Sequence, residues 1–220
     1  MPTSPTAREQ APRTYQDGVR RAAARGMSHL GETNVTPDAL TLAGVTLCAG
    51  AAVLVWLEYL GWAFFLAGAA AFVVGSVLDI LDGALARTSG KGTPFGAFLD
   101  STVDRVGEGF VLGAIALVLA REGSEWGVAL TFAAVAGSFL VSYTRARAEA
   151  LALRGDVGRL GTRAERVVII TAGLVLAPLG ALPWAMAVLT ATAWITVVQR
   201  VLSVRAQLRS AAGRTPPPAA

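Results

Sequence analysis

The chain has 220 residues, of which 54% are apolar and 15% charged, with a mean hydropathy of +0.54. Soluble domains carry about 45–50% apolar and about 25% charged residues. The balance therefore points to a membrane and excludes a disordered chain, a secreted disulfide scaffold and a nucleic-acid-binding tail. The formal net charge of +4, from 19 basic and 15 acidic residues, fits positive charge gathered on the cytoplasmic face of a bilayer rather than nucleic-acid binding. The single cysteine, Cys48, lies in an apolar run and reads as a small buried hydrophobe. The length suits one domain.

Residues 1–13 are rich in Pro, Ala and Thr and are expected to be a disordered tail, with no apolar run that would make a cleaved signal peptide. Over 14–32, Val19, Ala23, Met27 and Leu30 recur at helical spacing with Arg20, Arg21 and Arg25 between them. That pattern predicts an amphipathic juxtamembrane helix, although a solvated basic helix fits it equally well. His29, the sole histidine, has no partner in view for a metal role. Thr36-Pro37-Asp38 reads as a helix start, with Thr36 as N-cap and Pro37 in the first turn.

A membrane-spanning helix needs about 20 mostly apolar residues. Residues 39–57 supply one without a charge, and a second runs from Gly61 to the acidic residue Asp79. A third begins near Pro94 and becomes wholly apolar over 109–120, and a fourth covers 126–144. A shorter fifth runs from Arg166 to about Leu179, and a sixth covers about 182–199. The fold class is an all-α integral membrane protein: six transmembrane helices within a domain over 33–209, an N-terminal amphipathic interfacial helix, and a second disordered tail over 210–220. Six crossings place both termini and the even-numbered connections on one side. Eighteen of the 19 basic residues fall there, and only Arg121 lies opposite, beside Glu122 and Glu125. The expectation is a multi-pass cell-membrane protein with both termini cytoplasmic.

The chemistry concentrates in Asp79-Ile-Leu-Asp82-Gly83-Ala-Leu-Ala86-Arg87 and Gly96-Ala-Phe-Leu-Asp100-Ser-Thr-Val-Asp104. Residues three and four apart share a helix face, so Asp79 and Asp82 point one way, near Gly75, Gly83 and Ala86. Gly96, Asp100 and Asp104 make a second stripe. The connection from Thr88 to Thr93 is short, which predicts an antiparallel hairpin bringing four carboxylates together. Unpaired, they would repel where water is scarce, and a hard divalent cation resolves that conflict. No His or Cys stands near them, against zinc or copper. Four carboxylates suffice for two ions in phosphoryl transfer. The small residues would admit a phosphorylated ligand to the backbone, and Arg87 could hold its phosphate. Glu108, one turn deeper, reads as an interhelical polar partner rather than a ligand.

The pattern Asp-x2-Asp-Gly-x2-Ala-Arg-x8-Gly-x3-Asp-x3-Asp resembles the signature of the CDP-alcohol phosphotransferases, and all eight fixed residues match it: Asp79, Asp82, Gly83, Ala86, Arg87, Gly96, Asp100 and Asp104. The resemblance implies a six-helix, homodimeric membrane enzyme that moves a phosphatidyl-type group from a CDP-linked lipid to an alcohol. It implies that Asp79, Asp82 and Asp100 bind two divalent ions, Mg²⁺ or alternatively Mn²⁺, with Asp104 touching one ion and acting as general base. It also implies that Asp38, Thr41, Gly83, Arg87 and Thr93 contact the CDP group of CDP-diacylglycerol or a CDP-linked ether lipid, by direct attack without a covalent enzyme intermediate.

A dense set of arginines, Arg145, Arg147, Arg154, Arg159, Arg163 and Arg166, follows the fourth span. It points to a phosphorylated acceptor rather than serine or choline, although positive-inside charge alone would place several arginines there. The segment Ser142-Tyr-Thr-Arg145-Ala-Arg147-Ala-Glu149, followed by Glu165-Arg166, is similar to the phosphatidylinositol-phosphate and archaetidylinositol-phosphate synthases. Their acceptor is myo-inositol 1-phosphate, and by position Arg145, Arg163 and Arg200 match the residues that hold its phosphate. Many relatives carry Lys in place of Arg145, which exchanges a point charge for a fork. The alternatives are a phosphatidylglycerol-phosphate synthase using glycerol 3-phosphate and, from another class, a cation transporter, which the one-ended clustering of the acids disfavours.

Overall fold

The computed structural model describes residues 36–89, 92–155 and 162–212. The helix expected over 14–32, with His29, and the tail over 1–13 lie outside the described residues. Among those described there are six α-helices and no strand: α1 (Pro37–Trp56), α2 (Ala63–Ser89), α3 (Pro94–Arg121), α4 (Glu125–Ala150), α5 (Arg163–Val175) and α6 (Leu182–Ala212). Short 3₁₀ turns follow α1 (Leu57–Leu60) and α5 (Ala177–Leu179). The start of α1 is the one expected: the Thr36 hydroxyl accepts from Ala39 N–H at 3.2 Å, and Pro37 opens the helix. At the other end α6 runs on to Ala212, so the tail expected from Ser210 begins as helix.

Four segments are long and apolar enough to cross a membrane: Pro37–Leu60, Ala63–Ala86, Glu125–Ala150 and Leu182–Ala211. α3 matches them in length but carries Asp100, Asp104, Arg105 and Glu108 within its first 15 residues, and α5 has only 13 residues. Large apolar side chains such as Phe132, Val168 and Leu179 face outward while the interior holds Leu112, Ile115, Ile170 and Met186. That inversion is what a hydrocarbon solvent permits.

The acid-bearing helices do not pack as the direct hairpin the short connection suggested. α2 and α3 touch only slightly, and each packs mainly on α1. The reason is a pair of close crossings made by small residues. A Cβ at Gly75 would stand 2.8 Å from Gly44 O, and one at Gly107 would stand 3.1 Å from Cys48 Cβ. Backbones approach closely where side chains are absent, which is how helices gain dispersion contact in lipid. Gly75 is therefore used by the α1–α2 crossing rather than by a ligand. Cys48 is buried between α2 and α3, as the small hydrophobe it was expected to be.

At the opposite end from the acids, Trp56, Tyr59, Trp62, Trp126 and Trp184 form an exposed aromatic collar. Trp126 and Trp184 meet edge to face at 5.3 Å. Arg121 closes this end: it pairs with Glu58 at 3.2 Å, donates to Trp56 O at 2.6 Å and lies over the rings of Trp56 and Tyr59. The basic residue at the aromatic end is thus neutralised locally.

Candidate active site

The site gathers the first turns of α1, α3 and α5 at the last turns of α2. Carboxylate oxygens of Asp79, Asp82 and Asp100 all lie within 4.8 Å of one another. Asp79 and Asp82 are buried and Asp100 half-buried. The Thr41 hydroxyl, which also lies near Pro37 O, donates to Asp82 Oδ2. Asp82 Oδ1 is buried with no hydrogen-bond partner. A buried carboxylate oxygen without a donor, facing two further carboxylates, fits a hard divalent cation and fits no cation that prefers nitrogen or sulfur.

Asp104 stands outside this triad, held instead by arginine. Arg163 on α5 reaches Asp104 Oδ1 with Nη2 at 2.7 Å and Asp79 Oδ2 with Nη1. Arg105 lies 3.9 Å from Asp104 Oδ2. One turn further along α5, Arg166 places Nε 3.0 Å from both oxygens of Glu108, and both side chains are buried. Glu108 is therefore the interhelical partner it was expected to be. The start of α5 is fixed by a capping box: Glu165 N–H donates to Thr162 Oγ1, and Thr162 N–H donates to the Glu165 carboxylate at 3.0 Å.

Two large spaces open on the acids. A cavity of about 460 Å³ is lined by Asp38, Thr41, Gly83 and Thr93 together with Asp82 and Asp100. The family resemblance implies that the first four of these contact one ligand group, and the structure brings them to one cavity. Thr93 also caps α3, accepting from Gly96 N–H at 2.9 Å, and a Cβ at Gly96 would press on Asp38 Oδ1 at 3.1 Å. The second space, a groove of about 1080 Å³, runs past Asp100, Asp104, Ser142, Tyr143 and Arg145. Asp100 lines both.

The remaining assignments divide. Arg87 lies near the end of α2, and its side chain is outside the described residues. Arg145 lines the groove and pairs with Glu149 at 2.8 Å. Arg200 donates to Val141 O, at the seam of α4 and α6. Reading the sequence missed the Thr41–Asp82 bond, the bridge made by Arg163 and the pairing of Arg166. Only the last had a local signal, since Thr162-x-x-Glu165 announces a helix start that puts Arg163 and Arg166 on one face.

These features define a helical membrane protein with an acidic site, able to hold a metal ion, at one end of its bundle. Residues 34–201 match the family model of the CDP-alcohol phosphatidyltransferases, and the chain belongs to that family. It is therefore a transferase of phospholipid synthesis, which sets aside the transporter alternative. The chain is 41% identical over 179 residues to the phosphatidylinositol phosphate synthase of Mycolicibacterium smegmatis, covering 78% of each chain. It is 36% identical over 198 residues to the archaetidylinositol phosphate synthase of Pyrococcus horikoshii, covering 86% of this chain and 96% of that one. Its fold is similar to that of the phosphatidylinositol phosphate synthase of Mycobacterium tuberculosis solved with CDP-DAG bound. That match has a TM-score of 0.73 and 33% identity, covering 84% and 94% of the two chains. The same protein solved with manganese and citrate matches with a TM-score of 0.69 and 34% identity, covering 83% of this chain and 87% of that one.

Proposed function

We propose that this enzyme transfers a phosphatidyl-type group from CDP-diacylglycerol, or from a CDP-linked ether lipid, to a hydroxyl of myo-inositol 1-phosphate, releasing CMP. The observation that carries the reading is the sharing of Asp100 between two spaces. One holds Asp38, Thr41, Gly83 and Thr93, which suits the CDP group, and the other holds Arg145 and Asp104, which suits a phosphorylated alcohol. The relatives named above act as the same guide to the acceptor.

Asp79, Asp82 and Asp100 are the residues to hold two divalent ions, Mg²⁺ or Mn²⁺, with Asp104 touching one. Bound ions would neutralise the pyrophosphate and stabilise the departing CMP. Arg87 joins the CDP contacts, and Arg145, Arg163 and Arg200 hold the acceptor phosphate, bidentate where the fork allows. Asp104 accepts the proton of the attacking hydroxyl. The new oxygen–phosphorus bond forms on the lipid-bearing phosphorus as the bond to the CMP oxygen breaks, and the proton resides on Asp104. Six crossings, α3 and α5 included, place both termini and this site on the cytoplasmic side of the cell membrane. A homodimer follows from the family resemblance alone.

The test is CMP release from the purified enzyme given CDP-diacylglycerol, Mg²⁺ and myo-inositol 1-phosphate. Release should depend on the inositol phosphate and fall by about 10²–10⁴ in Asp104→Asn, the range for losing a general base. Turnover with glycerol 3-phosphate alone would overturn the acceptor while keeping the class of reaction.

A further inference from the structure

Arg163 sits at the first position of α5, where the helix dipole disfavours a cation. It is compensated there by two acids from two other helices, Asp79 and Asp104, of which Asp79 is buried. A guanidinium with one arm on each carboxylate occupies oxygens that an ion touching Asp104 also needs. The triad of Asp79, Asp82 and Asp100 still has Asp82 Oδ1 without a partner, so a first ion can be held there with Arg163 in place.

We propose that Arg163 is a resident counter-cation of the acidic site, competing with the second divalent ion for Asp79 and Asp104 and becoming available to the acceptor phosphate when that ion is bound. The inference rests on the two-ion reading given above. Charge balance supplies the direction. One dication and one guanidinium leave the four aspartates one charge short of neutral, whereas two dications neutralise them and leave the guanidinium in excess. An excess cation in a half-buried site is the one that an incoming phosphate recruits. The scaffold permits the exchange. α5 packs on α2 and α6 and is tied to α3 by the Arg166–Glu108 pair at 3.0 Å, so Arg163 can change partners without α5 leaving its seat.

The experiment is an Mn²⁺ titration of the full-length enzyme in micelles, read by electron paramagnetic resonance of the free ion. Wild type should bind in two steps with the second weaker. Arg163→Gln should tighten the second step by roughly 5- to 150-fold, the usual span of coupling between competing ligands, and tighten the first, which shares only Asp79 with Arg163, by less. Arg163→Lys keeps the charge on a single compact nitrogen in place of the two-armed fork, and it should tighten the second step by less. An unchanged or weaker second step in both variants would overturn the competition and leave the two-ion reading standing. Binding of one ion only in wild type would overturn both.

Discussion

At the scale of single residues, the buried pair Glu108–Arg166 carries more structural weight than any exposed ion pair in the molecule. Both side chains are under a tenth exposed, and Arg166 Nε lies 3.0 Å from each Glu108 oxygen. Pairs of this kind add little net stability over an apolar substitute, yet removing one partner strands a charge. Glu108→Gln should therefore destabilise the protein by about 3–5 kcal/mol, while Glu108→Leu combined with Arg166→Met should recover most of that loss. Denaturant unfolding in mixed micelles distinguishes the two, and equal losses would show that the pair is not coupled. The exposed pair Arg145–Glu149, within one helix, carries no comparable expectation.

At the scale of elements, the seating of α2 and α3 on α1 depends on atoms that are missing from glycine. A Cβ at Gly75 would stand 2.8 Å from a backbone oxygen, whereas one at Gly113 would meet nothing within 4 Å. The two substitutions to alanine should thus have opposite signs. Gly113→Ala gains the helix preference of about 0.5–1 kcal/mol, and Gly75→Ala loses about 1–3 kcal/mol through overpacking. Thermal midpoints in detergent would decide it, and a shared sign would mean that the α1–α2 crossing is looser than described. The same elements mark what a reader of the sequence could see. Runs of apolar residues locate each helix because a lipid solvent demands them, and the spacing of Asp79, Asp82, Asp100 and Asp104 places carboxylates on two faces. Which helix lies against those faces is a matter of crossings, and Gly44 and Gly75 look like any other glycines until their backbones meet. Arg163 was legible as a cation near a phosphate. Its seat on Asp79 and Asp104 was not, because 84 residues separate it from Asp79 in the chain.

At the scale of the whole molecule, charge and aromatic residues divide the bundle into two ends. Among the described residues, the site aspartates and most of the arginines share one, while Trp56, Tyr59, Trp62, Trp126 and Trp184 share the other. The proposed orientation rests on the first and can be checked by labelling at both ends. With Cys48→Ala as background, a membrane-impermeant maleimide should label Glu125→Cys in intact cells and reach Ser210→Cys only after permeabilisation. Both positions are exposed, so the reverse pattern would invert the protein in the bilayer.

The collar also acts as a depth gauge. Tryptophan and tyrosine settle at the headgroup level of a leaflet, and the collar lies at the beginning of α2. Asp79 and Asp82 come 16 and 19 residues after the first residue of that helix, which at 1.5 Å per residue is about 24–29 Å. The hydrocarbon core of a bilayer is about 30 Å thick. α2 is in effect a ruler: with its aromatic end at one leaflet, it holds the carboxylates near the opposite edge of the hydrocarbon core, just beneath the headgroups of that leaflet. The chemistry is thereby indexed to the thickness of the host membrane, and the residues that set that index are at the far end of the molecule from the reaction.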